Sequence, residues 1–403
     1  MEEKNKILKR GIRNVIFLGL ISCFADISSE MVYPIIPLYL TTVLGATPAI
    51  VGVIEGIAES LASLLKVFSG YISDKYENKK KIAFAGYSTG LIYKITLLVS
   101  GSWFGILLAR IIDRFGKGIR TAPRDVMVAE SSEDNKLGKS FGIHKALDML
   151  GSAIGILIAF LILKFLGEQV KSYRIVFIVS AIPIIIALCL FSCVKEKKTE
   201  RKEVIRDKFW KNIGKLDNQL KLYLFVVFLF TLGNSSNTFL LLRASDVGFS
   251  STNSILLYFI YNIVTSILAI PIGKRSDKTG RKKILVGGYI LFSVVYLMFG
   301  FSNSKAMMCI AFVIYGIYTA MIAGVEKAFI SEIAPKDLKG TMLGLHGTLV
   351  GIALLPASII AGFLWENVNS SAPFIFGATL SLLSAMILMF GLKNEKKVVK
   401  EKL

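Results

Sequence analysis

About twelve runs of roughly 20 or more mostly apolar residues recur along the 403-residue chain. They lie at 13–40, 47–72, 80–101, 103–128, 138–166, 173–194, 219–246, 251–274, 283–303, 305–332, 339–366 and 371–392. Each is long enough to cross a hydrocarbon core of about 30 Å as a helix. The pattern predicts an all-α membrane protein with 12 transmembrane helices. Hydrophobic residues make up 54% of the chain, above the usual 45–50% or so of a soluble domain.

The net charge of +20 raises nucleic acid as a partner, but its distribution excludes that reading. Lys and Arg crowd into 4–13, 75–81, 195–215, 274–283 and 393–402, whereas 41–48, 102 and 304 carry almost none. This is the positive-inside asymmetry of a multi-pass protein of the cell membrane. With an even number of spans, it places both termini in the cytoplasm. The first run follows Lys4, Lys6, Lys9 and Arg10, as a signal peptide would. Asp26 and Glu30 interrupt it and no small-residue cleavage site follows, so it is read as a retained span. Cys23, Cys189, Cys193 and Cys309 all fall in apolar runs without paired spacing. They are expected to be reduced, buried thiols, and no metal or cofactor is expected.

The chain repeats itself. Residues 70–81 match 273–283 at an offset of 203, and 124–148 match 326–350 at an offset of 202. Glu130 pairs with Glu332, Gly138 with Gly340, Gly142 with Gly344, and the two histidines, His144 and His346, with each other. A duplicated six-span unit follows. The expected organisation is a six-helix bundle over 1–194, a cytoplasmic linker over 195–218 and a second bundle over 219–403. Within the linker Ile205, Phe209, Ile213 and Leu216 share one face opposite Lys and Arg. That fits either a helix lying on the inner leaflet of the bilayer or a plain solvated connection.

Two six-helix halves, both ends inside, and a loop of the Gly-x-x-x-Asp-Arg/Lys-x-Gly-Arg-Lys type after the second and eighth spans resemble the major facilitator superfamily. The likeness covers the whole chain and implies two pseudo-symmetric six-helix bundles. The loop rests on Gly70, Asp74, Lys75 and Lys79, and again on Gly273, Asp277, Lys278, Gly280, Arg281 and Lys282. In the first copy Tyr76, Glu77 and Asn78 stand where the turn glycine is usual, and in the second Arg275 replaces an apolar residue. Gly151 and Gly155 lie on the fifth span, which lacks the proline-containing antiporter motif. Residues 110–125 resemble a poorly characterised prokaryotic branch of the superfamily. The resemblance implies that the first, fourth, seventh and tenth spans line a central cavity, and that the loops around Asp74 and Asp277 act as cytoplasmic latches. The alternative for the loops is a simple topogenic charge cluster.

Polar residues inside the apolar runs are the candidate site. On the fourth run Arg110, Asp113, Arg114, Lys117, Arg120 and Arg124 fall within an arc of roughly 120° at helical spacing. Each charge near mid-bilayer costs about 2.5–3.5 kcal/mol on the insertion scale, so this stripe must face water or a partner. Asp26 and Glu30 lie one turn apart on the first run, Glu55 and Glu59 one turn apart on the second, and Asp148 on the fifth. The second half reads as nearly uncharged at depth. It offers Asn234, Asn237, Tyr258, Tyr261, Asn262, Tyr315 and Tyr318 as cavity-lining groups, with Glu326 and Lys327 at the inner end of the tenth run. The histidines are read first as packing or capping groups.

A carboxylate beside an arginine can exchange a proton for an ion pair when its surroundings change. The expectation is therefore a secondary active transporter working by alternating access. It is proton-coupled, monomeric, and exports a small organic or amphipathic substrate. Asp26, Glu30, Glu59 and Asp113 are the proton carriers, Arg114 the countercharge, and Glu55, Arg110 and Asp148 complete the charge network. The alternative is an importer or uniporter of an organic anion held by Arg110, Arg114, Lys117 and Arg120. A third reading makes the charges structural bridges only. A scaffold or membrane enzyme has no support, since neither a phosphate-binding glycine loop nor a His-Glu-x-x-His motif is present.

Overall fold

In a computed structural model of the chain, the described residues are 2–75, 79–132, 137–196, 217–322, 324–334 and 339–392, with side chains of 2–10, 66–75, 137–139, 142, 339–341 left aside. The chain divides into two compact units. One comprises Met1–Glu200 with Phe249–Phe259, the other Arg201–Gly248 with Ile260–Leu403. Residues 249–259 thus group with the first unit, although by sequence they belong to the second repeat, at the start of its second span. The linker face at Ile205, Phe209, Ile213 and Leu216 lies outside the described residues.

The first unit contains α1 (Glu2–Val32), α2 (Ile36–Thr42), α3 (Pro48–Lys75), α4 (Lys79–Val99), α5 (Trp103–Glu130), α6 (Leu137–Leu166), α7 (Val170–Val179) and α8 (Ala181–Leu190). The other helices are α9 (Asn218–Gly233), α10 (Thr238–Asp246), α11 (Ser251–Thr279), α12 (Arg281–Phe301), α13 (Lys305–Ile322), α14 (Val325–Ile333), α15 (Lys339–Asn367) and α16 (Ala372–Gly391). Among the described residues there is no strand. Among the described residues eleven helical stretches are long and apolar enough to cross a membrane. The twelfth, α5, is a continuous helix of 28 residues whose charges lower its hydropathy, as the stripe predicts. The architecture is the expected one of 12 membrane helices.

The repeat is visible in where helices break. α1 and α2 form one span interrupted at 33–35, where Pro34 lacks the N–H that a continuing helix needs. The seventh span breaks at the matching place, between α9 and α10, where 234–236 leave helical form. No proline acts there. Asn234, Ser235, Ser236 and Asn237 supply side-chain groups that compete with the helical hydrogen bonds. The tenth span breaks at Gly324, whose φ of +83° is natural for glycine alone.

Packing follows the same plan. α6 lies so close to α1 that a Cβ on Gly151 would stand 2.3 Å from the Cys23 carbonyl oxygen, and one on Gly155 2.5 Å from that of Ile27. Small residues permit this approach, and membrane helices gain dispersion contact from it. Cys23 is buried; Cys189, Cys193 and Cys309 lie on outer helix faces. The expectation of four buried thiols is corrected there: an apolar run in a membrane span faces lipid as readily as core.

Candidate functional site

The charged stripe of α5 turns into the first unit. Arg110, Asp113, Arg114 and Arg120 are all buried. Arg110 donates to Glu55 at 2.6 Å, with both side chains 1% exposed. Arg114 pairs with Glu59 at 2.7 Å, and Glu59 also lies 3.8 Å from Arg110. Asp113 lies 3.8 Å from Arg114. The two guanidinium groups share the Tyr33 ring, at 5.2 and 5.5 Å from its centre. The structure therefore brings Glu55, Glu59, Arg110, Asp113, Arg114 and Tyr33 into one largely buried network of α3, α5 and the break that follows α1.

Asp26 and Glu30 stand apart from it. Both are half-buried on α1. Among the described residues neither is within ion-pair distance of a base. Lys117 is the strongest positive charge felt by each, and Asp148 is a like charge acting on Asp26. Asp148 lies 3.6 Å from His144 Nδ1. Arg124 is taken up by Asp125, at 2.8 and 2.9 Å, and by Ser22 at 2.9 Å. The basic stripe is thus largely committed to acids of its own unit.

Sequence reasoning passed over Lys94. It is buried on α4, donates to the Ser28 carbonyl at 2.9 Å and sits 4.4 Å from the centre of the Tyr93 ring. A lysine inside an apolar run was the available signal.

The second unit builds its interior from phenols and amides. Tyr315 donates to Asn237 Oδ1 at 2.6 Å, and Asn237 Nδ2 donates to Tyr261 at 3.1 Å. Asn234 Nδ2 donates to Tyr318 at 3.3 Å. Tyr261, Tyr315 and Tyr318 are buried. Asn262 is half-buried on α11. Tyr258 groups with the first unit, where its ring lies 5.8 Å from that of Tyr33. Glu326, expected at the inner end of the tenth span, is half-buried, receives a hydrogen bond from Tyr289 at 2.9 Å and lies 3.8 Å from His346.

The loop motifs show the duplication in bonds. Lys79 pairs with Glu130, and its counterpart Arg281 pairs with Glu332 at 2.6 Å. Lys80 donates to the Val194 carbonyl at 2.7 Å, closing the end of the sixth span. Lys282 donates to Met389 and Leu392 carbonyls at 3.0 and 2.5 Å, closing the twelfth. Asp277 accepts from Arg281 at 3.0 Å; Gly273 and Lys278 lie on the preceding turns of α11, and Gly280 makes the turn at φ +92°. Gly70, Asp74 and Lys75 close α3, but their side chains and 76–78 lie outside the described residues.

Comparison with known proteins agrees with this architecture. The model of the Major Facilitator Superfamily matches residues 18–242 and 222–403. The chain belongs to the major facilitator superfamily. It is 37% identical over 396 residues to an uncharacterized MFS-type transporter of Methanocaldococcus jannaschii, covering 97% of this chain and 98% of that one. Multidrug resistance protein 1 of Bacillus subtilis is 31% identical over 135 residues, covering 33% of this chain and 34% of its own length. A solved structure of a mutant of the nucleoside transporter NupG superposes with a TM-score of 0.81 at 12% identity, covering 94% of this chain and 100% of that one. At that identity it speaks for the fold alone. As a superfamily member the chain is a membrane transporter of small molecules.

Proposed function

We propose that the chain is a proton-coupled secondary active transporter that exports a small organic or amphipathic compound by alternating access. One observation carries this: Asp26 and Glu30 sit a turn apart on α1, half-buried, without a basic partner at ion-pair distance among the described residues. A carboxylate locked to arginine has little reason to take up a proton, whereas an unpaired one in a drying site does. Asp26 and Glu30 are therefore the principal carriers. Glu59 and Asp113 exchange partners with Arg114 as the units move, while Glu55 and Arg110 hold the network and Asp148 tunes it. The phenols and amides around Asn237 and Tyr315 bind cargo. Similarity to a multidrug resistance protein supports an amphipathic cargo and outward transport. The positive-inside pattern supports a cell-membrane protein with both termini in the cytoplasm. The loops at Asp74 and Asp277 serve as latches on that side.

The test uses proteoliposomes with an imposed pH gradient and ethidium, an amphipathic aromatic cation, as probe. Gradient-driven ethidium movement is expected in the native protein and lost in Asp26→Asn, with Glu59→Gln reduced. Unchanged gradient dependence in both variants removes the proton assignment. A thermal-shift screen against metabolites and drugs then names the cargo.

A further inference from the structure

The duplicated halves place one set of three side chains at equivalent positions. In the first unit these are Tyr87, Arg124 and His144; 202 residues later they are Tyr289, Glu326 and His346. The tyrosine and histidine are kept and the charge between them is inverted. In the first unit the central group is a guanidinium, which does not lose its proton. It is held by Asp125 and Ser22, with Asp148 beside the histidine. The central charge of that set is fixed; His144, whose Nε2 is likewise unbonded among the described residues, faces Asp148 and not the central group. In the second unit every member can gain or lose a proton.

We propose that Glu326 and His346 form a second proton-binding site, housed entirely in the second unit. Its geometry is that of a pair one proton short of a bond. Glu326 Oε1 accepts from the Tyr289 hydroxyl at 2.9 Å, which orients the carboxylate. Its other oxygen, Oε2, faces His346 Nε2 at 3.8 Å. Nε2 is buried and without a hydrogen-bond partner among the described residues. The side chains are 17% and 8% exposed. A buried ring nitrogen left unbonded is unusual and calls for an explanation. A proton between Nε2 and Oε2 supplies it: the pair goes from a net charge of −1 to zero, and a small approach of the two atoms completes a charge-assisted hydrogen bond.

Nothing else nearby competes for the carboxylate. The groups facing it are Tyr289 on α12, His346 on α15, Tyr318 on α13 and Tyr223 on α9, whose hydroxyl lies 3.4 Å from the Glu326 backbone oxygen. On its own helix the neighbouring Lys327 is exposed. No arginine or lysine comes within ion-pair distance of Glu326 among the described residues. The surrounding aromatic rings are tightly packed, Phe230 on Tyr289 at 4.1 Å and Phe292 against Tyr318 at 4.8 Å between centres. The inference goes beyond the proposed role of Asp26 and Glu30 and stands independently of it.

The experiment is infrared difference spectroscopy on the full chain in lipid nanodiscs as pH is lowered from about 9 to about 5, the range that brackets histidine and raised carboxyl groups. The native protein minus Glu326→Gln should show uptake of about one proton, seen either as a carboxylate band replaced by a carboxyl band or as a new imidazolium band with the carboxylate band kept and shifted. Superimposable spectra overturn the proposal. Tyr289→Phe, which keeps ring packing and removes only the donor, guards against a Gln variant that fails to fold. It should move the Glu326 band in frequency, and an unmoved band also overturns the proposal. Finally, the signal should persist in an Asp26→Asn, Glu30→Gln background. Its disappearance there would assign it to the first unit and refute the site, whereas its persistence leaves the two proton assignments separately testable.

Discussion

The two units carry one architectural plan with two interiors. In the first, α3 and α5 are joined by ion pairs, of which Arg110–Glu55 is buried to 1% exposure on both sides. In the second, the matching region is joined by bonds among Asn234, Asn237, Tyr261, Tyr315 and Tyr318. The neutral set pairs its polar groups with one another, as a membrane interior demands, whereas the ionic set leaves Arg110 Nε and Arg114 Nε without a hydrogen-bond partner among the described residues. The fold therefore does not require the charges. A duplicated unit that keeps them in one copy alone, against a desolvation cost that apolar packing would avoid, points to work done by the charges themselves.

The largest break in this comparison comes at Arg110. Glu55→Gln leaves a fully buried guanidinium without its main partner, at an expected cost of about 3–5 kcal/mol. Thermal unfolding in detergent should show a drop well beyond that of any substitution in the second unit's network. The double variant Glu55→Leu, Arg110→Met should recover most of it, because both charges go together. If the recovered protein also transports, the pair is only a bridge, and the two interiors differ in style rather than in function.

A second break is steric. Gly155→Ala places a methyl 2.5 Å from the Ile27 carbonyl oxygen. Backbone must move, and a loss of about 1–3 kcal/mol is expected. The counterpart in the second repeat is Ala357, buried and already bearing that methyl. Ala357→Gly should cost no more than about 1 kcal/mol, the helix-propensity difference. Equal losses at the two positions would mean that α6 and α15 pack alike after all.

Much of this was legible before any coordinates. Apolar runs of membrane length and two loops 203 residues apart are enough for the span count and the duplication, since a bilayer permits few structures. The α5 stripe was legible because six charges on one face of an apolar helix have nowhere to go but inward. What was hidden depends on helix breaks and pairing. Spacing along α1 does not tell that Asp26 is unpaired while Glu59 is taken by Arg114. Nor does spacing along the tenth span tell that Glu326 accepts from Tyr289 and faces His346, groups that meet only in the fold. Lys94 was legible and overlooked, since one lysine barely lowers the hydropathy of its run.

A smaller test sharpens the contrast from the other side. Tyr315→Phe removes the 2.6 Å bond to Asn237 while keeping the ring. A loss of about 0.5–1.5 kcal/mol is expected. A loss as large as that of Glu55→Gln would show that the amide network carries as much of its unit's stability as the ion pairs carry of theirs.

The smallest expected effect lies in the loop before α7. Glu168 accepts backbone N–H bonds from Thr252 at 2.6 Å and Ser251 at 3.0 Å, capping the first turn of α11. Its offset counterpart in the second repeat, Ser370, instead accepts from Arg243 at 2.7 Å. Burial alone would raise the Glu168 carboxyl, but the N–H and hydroxyl donors of 250–252 overcome it and hold the group below its ordinary value. A depressed carboxyl adds stability that is present above its unfolded value, about 4.3, and is lost as pH falls through the folded one. Glu168→Gln should therefore cost about 0.3–1 kcal/mol at neutral pH, the usual scale for a charge at a helix N-terminus. As pH falls below the ordinary glutamate range the gap between the variant and native melting curves should narrow, because the native carboxyl then loses its charge. A gap that persists undiminished in acid would make the contact a neutral hydrogen bond. The first unit's reliance on ionised side chains would then be confined to its interior.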